Sequence, residues 1–301
     1  MPTLKDIQLK ISGVKKTQQI TKAMNMVATS RLRGAQQNMD AFRPYAGKFA
    51  EVLGSLAERA GEESNPLLVP KSEVKNIHLV LCTSDRGLCG GFNANLIDLA
   101  ETFVDERGGE DRTISITAFG KKGRDWARKL DAVDLAEEYI GVVGGKIGFN
   151  VASSSGRKLT DAFLEGVYDE VYIIYSRFLT MAKQLPVLQQ LLPIPAIQTD
   201  DDGADGDGDQ DSGYLPEHIC EPSVEELLGD LLPRSVFVQV FSALLETSTS
   251  EHAARMMAMD NATKACKDIL KRLTLTYNKA RQAAVTAELM DIVGGAEALK
   301  G

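Results

Sequence analysis

The sequence is short of the residues that build most active sites. Of 301 residues only three are His and one is Trp, and the four cysteines, Cys82, Cys89, Cys220 and Cys266, include no CxxC pair. His78, His218 and His252 lie far apart and show no HExxH or other ligand spacing, so a metal centre is not expected. His78 opens an apolar run and His252 falls in a helical stretch, which favours packing or surface roles for both. The cysteines sit in apolar or helical surroundings and are expected to be reduced thiols. No uninterrupted apolar run of about 18 residues occurs, so no membrane-spanning helix is expected. The first residues, MPTLKDIQLKISGVKK, lack the apolar region and small-residue cleavage site of a signal peptide.

Phosphate-binding loops are missing too. Gly87-Leu88-Cys89-Gly90-Gly91 does not satisfy GxGxxG. Gly141–Gly148 fails GxxxxGK[ST], because Ile140 stands where the first Gly belongs and Ile147 where Ser or Thr belongs. Both stretches read as strand-to-helix turns. Asp85 and Arg86 could form a catalytic pair, but without a nucleophile or phosphate loop beside them a turn-stabilising ion pair is the better reading. Asp200–Asp211 holds seven Asp in DDDGADGDGDQD, yet counting from Asp205 the sixth position is Gln210 and the twelfth Pro216, where a calcium loop needs Gly and Glu. A solvated loop is expected there.

What is present is long helical periodicity and divided charge. From Leu4, alternating steps of three and four pass through Ile7, Ile11, Val14, Gln18, Thr21, Asn25 and Ala28, then Leu32, Ala35, Met39, Phe42, Ala46, Phe49, Leu53 and Leu56. Only Gln18, Thr21 and Asn25 are polar, so the stripe is expected to drift there onto Ile20, Met24 and Val27. A heptad sustained over residues 3–58 predicts a long helix packed in a coiled coil. Gly13, Gly34, Gly47 and Gly54 weaken that helix, and Pro44 is a candidate kink. The run Ser250–Ala298 has no Pro and no Gly before Gly294, and is rich in Ala, Met, Leu, Lys and Arg. Its own seam passes through Met259, Thr263, Cys266, Leu270, Leu273, Tyr277, Ala280, Ala284 and Ala287, with small residues toward the end. Residues 1–48 carry +7 and residues 255–285 carry +5, so the net −8 leaves −20 for the remainder. Two basic helices on an acidic body predict an acidic partner surface. Nucleic acid is disfavoured, because the basic helices lack interleaved aromatics and any zinc-finger or RNA-binding signature.

Between the helices the grammar changes. Residues 61–71 read as a connector. Strands Ile77–Thr83, Thr113–Phe119 and Val171–Tyr175 alternate with helices near 94–107, 121–130 and 150–166, the pattern of a parallel α/β sheet. Val187–Ile194, flanked by Pro186 and Pro193, suits an edge strand or exit segment. Ser223 with Glu226 forms a capping-box pattern, and Pro233 is expected to break or restart the helix that follows. The predicted organisation is therefore an N-terminal coiled-coil helix (1–60), a central Rossmann-like α/β domain (75–220, with the Asp-rich insertion 200–211) and a C-terminal coiled-coil helix (223–301). The two helices are expected to pack antiparallel. At 1.5 Å per residue they span roughly 80 and 95 Å, leaving a slim, polar C-terminal tip overhanging by about 10–15 Å. A free-standing nucleotide-binding enzyme on the α/β domain, or a coiled-coil adaptor, are the competing readings.

Three stretches carry a family resemblance: Ile20-Thr21-Lys22-Ala23-Met24-Asn25-Met26-Val27-Ala28, Thr83-Ser84-Asp85-Arg86-Gly87-Leu88-Cys89-Gly90-Gly91-Phe92-Asn93, and Ser250 to Leu299. With the helix, α/β, helix order they resemble the gamma subunit of the bacterial F-type ATP synthase. That resemblance implies a non-catalytic rotor shaft without a cofactor, standing in a ring of alternating alpha and beta subunits. Its base would sit on the membrane c-ring beside epsilon, peripheral to the cytoplasmic face of the inner membrane and without a span of its own. Carried over by matching position, Met24 and Cys89 would face the acidic helix-turn of beta, and Arg281 and Gln282 would meet the beta loop that catches the shaft. Thr286 and Glu288 would lie in the torque-bearing region, and Arg255 would serve coupling. The Asp-rich stretch 200–211 departs from the family pattern. The paired cysteines of the chloroplast form are lacking, so its thiol regulation is not expected.

Overall fold

The apolar runs between residues 76 and 192 assemble one five-stranded sheet. In the computed structural model, which describes residues 3–60, 65–109, 111–130, 133–195 and 223–298, the elements follow the chain as α1 (Leu4–Ala60), β1 (Asn76–Cys82), α2 (Phe92–Arg107), β2 (Thr113–Phe119), α3 (Lys121–Ala127), β3 (Val133–Tyr139), α4 (Phe149–Leu164), β4 (Glu170–Phe178), β5 (Gln184–Leu192) and α5 (Val224–Ala298). The Asp-rich stretch, His218 and Cys220 lie outside the described residues. Strand order is β3-β2-β1-β4-β5, parallel except for β5. The chain is thus a mixed α/β fold with a central, mostly parallel sheet and a long C-terminal helix.

Side-chain alternation in β1 explains the layering. Ile77, Leu79 and Leu81 point into a core shared with Leu96, Ala100 and Phe103 of α2 and Ala127 of α3. Val80 and Cys82 point the other way, into a core shared with Leu53 and Leu56 of α1, Leu159 and Phe163 of α4, and Leu232, Val236 and Leu244 of α5. Each such fully buried Leu or Ile stabilises the fold by about 1.5–3 kcal/mol. β3 was not predicted. It is an edge strand in which every second residue is half-buried, and one of those inward positions is Glu137. Tyr139 Oη donates to Glu137 at 2.6 Å and Lys158 Nζ also bonds it, so an acidic residue fills a place where alternation leads one to expect an apolar one. β5 is the edge strand expected around Val187, with Pro186 inside it, where an edge tolerates a missing donor.

Two compact units divide the chain: Met1–Ser30 with Arg255–Gly301, and Arg31–Ala254. In the first, Thr21 Oγ1 lies 2.8 Å from Thr263 Oγ1 and Asn25 Nδ2 donates to Met256 O at 2.8 Å. Higher numbers on α1 meet lower numbers on α5, so these segments run antiparallel. Every heptad position from Leu4 to Leu56 is buried or half-buried, including the polar Gln18, Thr21 and Asn25. The expected drift onto Ile20 and Val27 does not occur. These two are 59 % and 56 % exposed, because hydrogen bonding lets Thr21 and Asn25 hold the inward positions. On α5 the seam is buried or half-buried from Met259 through Ala284, and Ala287 is exposed.

Local signals at the helix ends behave as their chemistry requires. Thr3 and Asp6 cap α1 reciprocally: Asp6 N donates to Thr3 Oγ1 (3.3 Å) and Thr3 N to Asp6 Oδ2 (3.0 Å). Glu226 N donates to Ser223 Oγ at 3.2 Å, making Ser223 the N-cap of α5. Pro233 neither breaks nor restarts α5, and α1 is likewise continuous through Pro44. Leu228 and Leu232 before Pro233, and Val236 after it, are all core residues, and their packing outweighs one lost backbone bond. Read through Pro233, α5 has 75 residues and spans roughly 110 Å, longer than expected. One 18-residue window of α5 reaches a mean hydropathy of 1.3, enough by composition for a membrane span, and half of it is buried inside the protein. The core residues Val236, Val240 and Leu244 account for apolar character in that helix without a membrane.

Candidate functional site

Two surfaces gather the residues singled out in the sequence. The first is the helical unit. Met24 is half-buried on α1 beside the Thr21 and Asn25 seam, while Ile20, Met26 and Val27 are exposed. On α5, Arg281, Gln282, Thr286 and Glu288 are all exposed, and Thr286 Oγ1 donates to Gln282 O at 2.9 Å. From Val285 to Ala296 every residue is exposed. Beside these polar side chains the end carries an apolar face the sequence analysis did not expect: Val285, Leu289, Ile292 and Val293 are exposed at the i, i+4, i+7, i+8 spacing of one helix face. The small-residue seam of Ala280, Ala284 and Ala287 lies on the opposite face. The spacing of the apolar stripe is the signal that could have found it. Arg255 is half-buried on α5 and belongs to the same unit.

The second surface lies on the α/β unit, in the loop from β1 to α2. Cys89 is buried there, and Asn93 Nδ2 donates to its Sγ at 3.1 Å. Ser84 braces the same turn, its N–H on Asn93 Oδ1 (3.0 Å) and its hydroxyl on Arg86 O (2.6 Å). Leu88 is 64 % exposed and adopts φ +65°, a left-handed conformation that a branched side chain enters only when its surroundings hold it. The apolar side chain exposed at this loop is therefore Leu88, whereas Cys89 is buried. Asp85 accepts Lys121 N (3.1 Å) and Gly141 N (3.1 Å), tying together the loops that follow β1, β2 and β3. Gly120, at φ +99°, makes the tie possible, since a Cβ there would meet Thr83 O at 2.2 Å.

The crevice where an open α/β sheet would take a nucleotide lies between the carboxyl ends of β1 and β4, where the strand order reverses. At the end of β4, α5 is already in place. Ser250 Oγ donates to Ser176 O (3.0 Å), and Phe178 N donates to Glu246 (3.3 Å), whose carboxyl burial pushes above its usual range. Of the histidines, His78 is fully enclosed, with ring nitrogens 2.7 Å from Ser115 Oγ and 2.9 Å from Thr117 Oγ1, and it stacks on Tyr168. His252 is buried on α5, 3.7 Å from Glu251. Among the described residues no three His, Cys, Asp or Glu side chains gather as a metal site.

Residues 3–299 match the family model described as ATP synthase. The chain is 66 % identical over 301 residues to an ATP synthase gamma chain from Desulfosudis oleivorans, covering all of both chains. The chain belongs to the ATP synthase gamma-chain family. A gamma chain from Syntrophobacter fumaroxidans is 52 % identical over 302 residues, again across both whole chains. The fold also appears in solved structures. A chain of the Euglena gracilis mitochondrial ATP synthase (OSCP/F1/c-ring) aligns over 98 % of this chain and 94 % of its own, with a TM-score of 0.66 at 20 % identity. A chain of the Tetrahymena thermophila mitochondrial ATP synthase (central stalk/c-ring) aligns over 81 % of this chain and 99 % of its own, with a TM-score of 0.56 at 24 % identity. These two likenesses concern the fold.

Proposed function

We propose that the chain is the central rotor shaft of an F-type ATP synthase, turning with a proton-driven c-ring and imposing successive conformations on catalytic beta subunits while carrying out no reaction itself. The full-length identity to gamma chains is the observation that carries this reading. The helical segments on either side of Thr21–Thr263 form an antiparallel coiled coil, supported by the unbroken inward stripe on α1 and its counterpart on α5. Physically, a shaft works by binding one orientation of its partner better than the others, so that each angle shifts the population of one beta conformation. An asymmetric surface is needed for that. The exposed Ile20, Met26 and Val27 on α1, and the Val285 to Val293 stripe on α5, supply apolar contact, while the +7 and +5 of the helices supply attraction to acidic levers.

Within this reading Met24 and the Leu88–Cys89 loop face the acidic helix-turn of beta, with Leu88 making the contact in front of the packed Cys89. Arg281, Gln282, Thr286 and Glu288 form the catch and torque region, and Arg255 serves coupling. The alpha and beta subunits, epsilon and the c-ring are the partners, at the cytoplasmic face of a bacterial inner membrane. The organisation into an N-terminal helix (1–60), a central domain (75–220) and a C-terminal helix (223–301) belongs to the same proposal. Alanine at Arg281, Gln282, Thr286 and Glu288 together is expected to reduce ATP-driven proton pumping by the reconstituted complex while assembly persists. Pumping at the unaltered rate would remove these residues from the torque region.

A further inference from the structure

A cavity of about 310 Å³ opens on the α/β unit between α1, the loop joining β3 to α4, and α5. Two cations line it, Arg31 from α1 and Lys146 from the loop, and no Asp or Glu lines it. Neither cation has an ion pair among the described residues. Arg31 is oriented by a hydrogen bond from Nη1 to Gly144 O at 3.2 Å, which holds its guanidinium over the loop. Asp85 lies close to Gly144, but its oxygens are engaged by the backbone N–H groups of Lys121 and Gly141. Gly144 and Gly145 leave the mouth clear of side chains, and a Cβ on Gly145 would crowd Gly141 O at 3.1 Å. The floor carries Ser248 and His252, both buried, below the positive charge at the rim. Ile147 and Leu245 add an apolar wall.

Two cations, Arg31 held by its hydrogen bond and Lys146 free to swing, line the cavity with no carboxylate among its lining residues. We propose that this cavity binds a phosphate group. Arg31 supplies a planar fork of donors suited to phosphate oxygens, Lys146 supplies a mobile point charge, and the volume leaves room for a ring or short chain behind the phosphate. The source of the phosphate is either free inorganic phosphate or the phosphate of a small nucleotide. The site is separate from the reversal point of the sheet and does not rest on the shaft reading.

The test is a titration of the full-length chain at low ionic strength, followed by amide nuclear magnetic resonance, with inorganic phosphate in one arm and AMP in the other. Saturable shifts of Gly144, Gly145 and Lys146 are expected, weakened at least about tenfold by Arg31→Gln and by Lys146→Gln, because each removes a charge-assisted contact. Arg33→Gln, an exposed change on the same helix outside the lining, is expected to leave the affinity unaltered. Equal affinity in the two arms assigns the site to phosphate alone, and tighter AMP binding shows that the apolar wall takes the nucleoside; both support the site. Absence of saturable shifts in both arms, or equal weakening by Arg33→Gln, would overturn it.

Discussion

At the scale of single residues, the most consequential groups are polar ones placed where packing rules expect apolar ones. His78 is neutral because burial pushes its pKa down to about 3, and its two ring nitrogens are taken by hydroxyls. The unfolded chain protonates this ring near pH 6.5, whereas the folded chain does not until about pH 3. The folded pKa lies below the unfolded one, so the contribution is complete above pH 6.5 and is lost as pH falls toward 3, by about 1.4 kcal/mol per unit. His78→Gln, uncharged throughout, is expected to flatten stability against pH in that window when chain unfolding is followed by urea titration. Asp169 adds a second acid-sensitive contact. Burial alone would raise its pKa, but hydrogen bonds from Asn76 N, Lys75 N and Lys71 outweigh burial and hold the carboxyl below its usual range. Its contribution is present at neutral pH and lost as pH falls below about 4.

At the scale of elements, helix continuity is set by packing more than by propensity. Pro233 sits inside α5 between core residues, and Gly156 on α4 exists because Phe237 of α5 packs where a side chain would be: a Cβ there would lie 2.4 Å from Phe237 Cδ1. Gly156→Ala would gain about 1 kcal/mol of helix propensity, but overpacking costs about 1–3 kcal/mol, so net destabilisation is expected in denaturant unfolding. The seam makes a second prediction. Asn25→Ala, which loses the bond to Met256 O, is expected to lower stability by about 0.5–1.5 kcal/mol, while Ile20→Ala on the exposed face stays within about 0.5 kcal/mol. The reverse order would restore the drifted stripe. Heptad spacing made both long helices and most seam positions legible, and apolar runs with turn residues located β1, β2, β4 and the edge strand β5. What stayed hidden depended on tertiary partners that leave no mark on local pattern: Glu137 satisfied by Lys158 and Tyr139 inside β3, Thr21 and Asn25 satisfied across the seam, Leu88 held at positive φ. The apolar face from Val285 to Val293 is legible by its spacing alone, on the side of the helix opposite the more regular small-residue seam.

At the scale of the whole molecule, function follows from surfaces left uncovered. The sheet's own crevice is occupied at the end of β4 by α5, so the α/β unit offers a braced loop, with Leu88 at its tip, in place of a nucleotide cradle. The helical unit spends its inward stripes on itself and leaves Ile20, Val27 and the Val285 to Val293 face exposed, apolar surface of the kind that marks an interaction site. Membership of the gamma-chain family over the full length gives that partner its character, and the positive charge of both helices suits acidic contacts within it. The most direct measurement is single-molecule rotation: the chain, labelled on its α/β unit, assembled with alpha and beta subunits of its family and immobilised through the ring, then supplied with ATP. Unidirectional stepwise rotation of the label, coupled to hydrolysis, is the predicted result. Sustained hydrolysis by the assembled complex with a stationary label would contradict the shaft.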